Sequence, residues 1–149
     1  MVRTEVIQIA EPDALALEAL RQYAAVSDAG QDDVLILALK RAFDMVQRAA
    51  DVALLAGTFR VCASDHPRTV NVYMGGEVTS VVDDHGVAVS HHQRGRSVYV
   101  GTDRYVEVTF STKVNQADYD RLLPVVLQYA TAIYDGQDSR TLNSILLQC

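Results

Sequence analysis

Histidine is the side chain with most scope for acid–base or metal chemistry at neutral pH, and this chain has four: His66, His85, His91 and His92. Their spacing offers a metal little. No HxH, HxxxH or HExxH pattern occurs, and His91 and His92 are adjacent, so on a strand they point to opposite faces. His85 shares the run Asp83-Asp84-His85-Gly86, a composition that turns favour for their own backbone reasons. Asp83 and Asp84 are paired carboxylates by sequence, but a turn lacks the apolar shielding that raises a carboxyl pKa for acid catalysis. Cys62 lies in an alternating apolar run with no nucleophile signature, and no GxSxG elbow is present. Gly75-Gly76 lacks the GK[ST] continuation of a phosphate loop. The chemistry-bearing residues therefore predict no catalytic residue, no metal site and no cofactor.

The locally basic stretch is "HHQRGRS", residues 91–97. Arg94 and Arg96 flank Gly95, where they can touch phosphate or an acidic neighbour. Read without that role, the stretch is a solvated loop between strands. A second candidate is the chain's end, "DGQDSRTLNSILLQC", which places Leu142, Ile145, Leu146 and Leu147 after an Asp-Gly break. These apolar groups either fold back onto the domain's own helices or dock onto another protein.

The elements that must position these residues change period along the chain. "EVIQIA" (5–10) alternates as a short strand or arm. Pro12 suits a first helical turn. "DALALEALRQYAAV" then places Leu15, Ala19, Leu20 and Tyr23 on one side of an amphipathic helix. "SDAGQDD" is a polar break in which Asp32 or Asp33 can cap the next helix. "DDVLILALKRAFDMVQRAADVALLAG" carries Leu35, Leu39, Ala42, Val46, Ala49 and Ala53 at helical spacing, with Gly57 as its stop.

From residue 58 the period falls to two. "TFRVCAS" sets Phe59, Val61 and Ala63 on one face, "TVNVYM" sets Val70, Val72 and Met74, and "YVEVTF" sets Val106, Val108 and Phe110. Turns are expected at Asp83–Gly86 and at Gly101–Arg104, giving a β module of four to six antiparallel strands. Helix returns near 116, with Asn115 and Asp118 as a capping pair. Pro124 predicts a short turn first and a main helix from about Arg121, bearing Leu122, Val126, Tyr129, Ala130 and Ile133. A short tail helix is expected from about Ser139.

The fold class expected is therefore α+β. A small bundle of two N-terminal helices and a late helix carries an inserted antiparallel β module at about 58–115. A short apolar C-terminal tail helix follows at about 137–149, all in one domain of residues 1–149.

The totals limit the function. The chain has 149 residues, 49% apolar and 21% charged, the profile of an ordinary globular domain. Net charge is −6, and no third of the chain is basic, which argues against a tight duplex-DNA grip driven by counterion release. A negative surface can instead line a channel through which DNA slides without sticking. No stretch approaches the length of a membrane span, and the N-terminus has no signal-peptide pattern. Cys62 and Cys149 read as reduced thiols of a cytoplasmic protein, with nothing in the sequence arguing for a disulfide.

The order of these features resembles the head–tail connector (adaptor, or head-completion) proteins of tailed bacteriophages. The residues that carry the likeness are "DAGQDDVLILALKRAFDMVQRAADV" after a short amphipathic helix, a β insertion with a D-D-H-G hairpin and "YVEVTF", and the Pro-led helix "LLPVVLQYATAIYDGQD" before a short apolar end. "LLAGTF" and "FSTKVN" stand where such proteins commonly carry an aromatic-plus-Gly run. The resemblance implies a non-enzymatic virion protein of the neck, assembled in the host cytoplasm. About a dozen copies form a homo-oligomeric ring beneath the portal protein, with neck or tail-completion proteins below and DNA passing through the lumen. It further implies that Leu142, Ile145, Leu146 and Leu147 bind the portal or a neighbouring subunit, and that Arg94 and Arg96 sit where a loop can meet the lumen. Two other readings stand beside it. One is a small ligand-binding or enzymatic domain using the β module as a cup, with Asp65, His66 or His85 at its rim. The other is a different neck or tail-completion protein.

Overall fold

A computed structural model describes residues 1–27, 29–64, 68–102 and 104–149. The elements form a mixed α+β chain in two compact units. The first unit comprises Met1–Ala10 and Leu55–Lys113; the second comprises Glu11–Leu54 and Val114–Cys149.

The first unit holds the strands. Strand β1 (Val2–Ile9) pairs antiparallel with β2 (Gly57–Ala63), so the N-terminal arm is an edge strand of the β module. Strands β3 (Thr69–Asn71), β4 (Glu77–Asp83), β5 (His91–Arg94), β6 (Ser97–Val100) and β7 (Val106–Thr112) follow. They divide into a four-stranded sheet ordered β1-β2-β7-β4, here called sheet A, and a three-stranded sheet ordered β3-β6-β5, sheet B. The expected alternation holds. Phe59, Val61, Ala63, Val70, Val72, Met74, Val106, Val108 and Phe110 are all buried. Phe59 sits opposite Phe110 across β2 and β7, and their rings stack with centroids 5.4 Å apart. Gly76 lets β4 begin close to that pair, because a Cβ there would lie 2.2 Å from Phe110.

Two β-module expectations need correction. Gly101–Arg104 is not a hairpin turn: β6 belongs to sheet B and β7 to sheet A, so this stretch carries the chain between sheets. (Asp103 lies outside the described residues.) And "HHQRGRS" is not a loop between strands. Arg94 pairs with Ser97, which makes 91–97 a tight hairpin with Gly95 and Arg96 as its two-residue turn. Gly95, at φ 61°, occupies the first central position, where a II′ turn favours glycine. The Asp83–Gly86 turn is as expected. Asp83 accepts hydrogen bonds from the backbone N–H groups of His85 and Val87, both at 2.9 Å, and Gly86 takes φ 75°.

The polar face of sheet A neutralises itself. Arg60 on β2 donates to Glu5 on β1 at 2.7 Å and lies 4.0 Å from Glu107 on β7. Tyr105 donates its hydroxyl to Glu107 at 2.9 Å. Contact with Cys62, burial and that bond to Glu107 hold its phenol well above the usual tyrosine range. Cys62 itself is buried, a thiol packed into the sheet.

The second unit is helical: α1 (Ala14–Ala24), a single 3₁₀ turn (Ala29–Gln31), α2 (Asp32–Ala50), α3 (Gln116–Tyr134) and α4 (Ser139–Leu146). Asp13 caps α1 by accepting from Ala16 N–H at 2.7 Å. The buried stripe of α1 is Ala16 and Leu20, whereas Leu15 and Tyr23 are exposed. The stripe expected for α1 was thus rotated by about a position. Helix α2 buries Leu35, Ala38, Leu39, Ala42, Phe43 and Val46.

Helix α2 also departs at both ends. Asp32 and Asp33 stand inside its first turn, where they complement the dipole and Asp32 pairs with Arg21; neither is the cap. The helix stops at Asp51, in the left-handed region at φ 54°, and Gly57 instead opens β2. Gln47 is buried and its Oε1 accepts from Leu54 N–H at 3.2 Å, so it ties down the chain leaving the helix.

Asn115 caps α3 by accepting from Asp118 N–H at 3.2 Å, as the spacing predicts. Pro124 does not delay the helix; it lies inside it. Pro124 and Asp120 are both exposed, so the Asp120 carbonyl that loses its intrahelical donor can turn to water.

Candidate functional site

The C-terminal segment is the first candidate. Asp138 caps α4 by accepting from Thr141 N–H at 2.9 Å, and that bond lowers the Asp138 carboxyl pKa. The four apolar side chains then separate by helical geometry. Ile145 is 5% exposed and packs within its unit, Leu142 and Leu146 are half-buried, and Leu147 is 86% exposed just past the helix. Gln148 Nε2 donates to Gln128 Oε1 on α3 at 3.0 Å, which keeps the end of the chain near that helix. Partial burial raises the Cys149 thiol pKa, with Arg121 opposing it. The segment is therefore committed to its own unit through Ile145 and offers Leu147 outward.

The N-terminal helices add exposed apolar surface outside their buried stripes. Leu15 is 80% exposed on α1, Leu37 68% exposed on α2, and Val34 and Tyr23 are exposed with them. Leu37 stands two positions from Leu35 and Leu39, on the far side of α2 from the core stripe. That offset is the signal in the sequence that could have marked it.

The second candidate is the β5–β6 hairpin. Arg94, Arg96, His91 and His92 are all exposed. Arg96 places its guanidinium 5.8 Å from the Tyr73 ring centroid, within cation–π range. His91 Nδ1 lies 3.2 Å from the Val89 carbonyl, a local backbone contact.

The described histidines do not gather into a catalytic or metal-holding set. His85 neighbours Asp84 in the exposed turn at 3.8 Å, while His91 and His92 lie on β5. His66 and Asp65 lie outside the described residues. Among the described residues no cluster of three His, Cys, Asp or Glu side chains could hold a metal ion. Two clefts open on the β unit. One, of about 450 Å³, is lined by Met1, Val2, Ala63, Tyr73 and neighbouring residues. The other, of about 480 Å³, is lined by Gly75, Gly76, Glu77, Gln93, Gly95 and Arg96 among others. Neither brings a histidine beside a carboxylate. Among the described residues no helix is long and apolar enough to cross a membrane.

Solved structures match this architecture along nearly all of its length. A chain in the neck of an empty gene transfer agent (GTA) particle, computed with C6 symmetry, aligns with a TM-score of 0.61 at 19% identity. The match covers 91% of this chain and 84% of that one. A chain in the virion of a native GTA particle aligns with a TM-score of 0.59 at 16% identity, over 89% of this chain and 84% of that one. This chain has the fold of a GTA neck chain. A third match, in the neck of a native GTA particle computed with C12 symmetry, has a TM-score of 0.51 at 19% identity, over 85% of this chain and 82% of that one. No protein-family model matches the sequence, and no curated protein matches it significantly.

Proposed function

We propose that this protein is a structural head–tail connector of a phage-type particle. Copies of it close into a ring beneath the portal, join the capsid to the neck and tail, and let DNA pass through the lumen. The observation that carries this reading is the match over 91% of the chain to a chain from a GTA particle neck. Rotational symmetry fits it. Neck structures in this set were computed with C6 and C12 symmetry, and head-to-tail contacts close a ring when the rotation per subunit divides a full turn. The mechanism is surface complementarity without a reacting group. Exposed apolar side chains such as Leu15, Leu37 and Leu147 gain roughly 25 cal/mol per Å² of apolar area when a partner covers them.

Within that reading the C-terminal tail divides its labour. Ile145 holds α4 to its own unit, and Leu147, with the outer parts of Leu142 and Leu146, meets the portal or a neighbouring copy. The test is Leu147→Asp. Its side chain is exposed, so the melting temperature should stay within about 2 °C of the parent. Co-sedimentation with portal rings, or completion of particles, should fall sharply. Undiminished attachment would remove the tail from the interface. Electron microscopy of the native particle tests the role itself, and density for this chain outside the neck would overturn it.

A further inference from the structure

The chain has six more acidic than basic residues, yet His85–Thr102 contains no aspartate or glutamate. That stretch builds β5, its turn and β6. Strand register places His92, Arg94, Ser97 and Tyr99 on one face of sheet B, with His91 and Gln93 on the other. His92 stands opposite Tyr99, and Tyr99 opposite Thr69 on β3; Arg94 stands opposite Ser97, and Ser97 opposite Asn71. The alternate positions, Val70 and Val98, go into the core. The outer face therefore carries a cation, an imidazole and a tyrosine that is 50% exposed.

Sheet A shows what a merely solvated face looks like in this protein: Arg3, Glu5, Arg60 and Glu107 alternate in sign and pair with one another. Sheet B does not follow that pattern. Among the described residues no carboxylate lies within ion-pair distance of Arg94. In the turn itself, Arg96 packs on Tyr73 at the edge of the cleft of about 480 Å³. Gly75 and Gly95 line that cleft with open space where a Cβ would stand, so an extended polymer backbone can approach closely. Glu77 is the carboxylate on its lining.

We propose that the outer face of sheet B is a sequence-independent contact surface for the phosphodiester backbone of DNA. Arg94 and Arg96 meet phosphates, and Tyr99 supplies a flat surface for a sugar or base. Arginine beside exposed aromatic rings is the arrangement that tracks a nucleic-acid backbone without reading its sequence. The proposal rests on the connector reading, which brings DNA past every copy. Two arginines bind weakly alone, and a ring presents the pair once per subunit, so a weak contact is multiplied without arresting the strand. The acidic remainder of the chain limits the grip.

The experiment is fluorescence anisotropy of the full-length protein with labelled duplex and single-stranded DNA of about 30 nucleotides, titrated from about 20 mM to about 150 mM NaCl. Binding should appear at low salt and weaken steeply as salt rises. Arg94→Gln should weaken it about fivefold and reduce the log–log salt slope by about one. Arg48→Gln, which removes an exposed arginine on α2, should change neither. Absence of binding at the lowest salt, or equal loss in both variants, would overturn the proposal. So would polyglutamate that binds as tightly as DNA and depends equally on Arg94, which would assign the face to an acidic protein. Mass measurement of the ring with and without portal keeps the two readings apart. Rings that form but bind no DNA sink only this surface; DNA binding by a chain absent from the neck sinks the connector.

Discussion

Arg60 stands at the centre of the polar face of sheet A, where it pairs with Glu5 on the neighbouring strand. The guanidinium hydrogen bond from Arg60, opposed by desolvation and aided by Arg3, lowers the Glu5 carboxyl pKa. A carboxyl whose folded pKa is depressed adds stability above its unfolded pKa and loses it as pH falls through the folded value. Glu5→Gln should therefore flatten the acid limb of a stability-against-pH curve below about pH 4.5, leaving the slope near neutrality unchanged. Urea denaturation at a series of pH values checks this, and an unchanged acid limb would show that the pair contributes nothing. Because β1 and β2 meet through this pair, the effect reports on the attachment of the N-terminal strand.

Helix α3 shows where local rules mislead. A proline at an interior position breaks an i→i−4 hydrogen bond and was expected to set the helix start near Arg121. The helix instead runs from Gln116, because Asn115 caps it and the buried stripe Leu122, Val126 and Tyr129 holds it against the other helices. Tertiary packing outweighs a local cost of about 3 kcal/mol when the orphaned carbonyl faces water. Pro124→Ala should restore the hydrogen bond and raise the melting temperature by a few degrees, measurable by circular dichroism. A lower melting temperature would mean that Pro124 packs favourably. The strands were more legible. Phe59, Val61, Val106, Val108 and Phe110 alternate strictly, and a one-residue slip would turn every one of them to solvent. What alternation cannot encode is which strand pairs with which. The split into two sheets at Gly101–Arg104 and the docking of β1 on β2 depend on contacts between distant segments. The tail was half legible: the sequence marked Leu142, Ile145, Leu146 and Leu147 as apolar groups of a short helix, but the fold shows that Ile145 faces inward and Leu147 outward.

Taken as a whole, the molecule closes its β sheet with its own first residues. Val2–Ile9 covers the edge of β2, a strand that otherwise has β7 as its one neighbour. The new edge is blunted by charge at Arg3 and Glu5 and by a register irregularity between Val6 and Gln8, devices that discourage edge-to-edge pairing. Deleting residues 1–9 would bare β2, whose Arg60 would lose Glu5 and whose backbone would lose its outer hydrogen bonds. The truncated protein should melt at lower temperature and show concentration-dependent aggregation by light scattering. A truncated chain that stays monodisperse at the parent melting temperature would make the strand an ornament.

The interleaving of the two units also fixes an order of events at the ribosome. Helices α1 and α2 emerge early, but α3, which covers their apolar stripe, is encoded after Leu55–Lys113. At about 5–20 residues per second that wait lasts roughly 3–12 s, during which Leu35, Leu39 and Phe43 have no finished core to enter. Translation speed and holdase chaperones acting on the nascent chain should therefore influence how much of it folds.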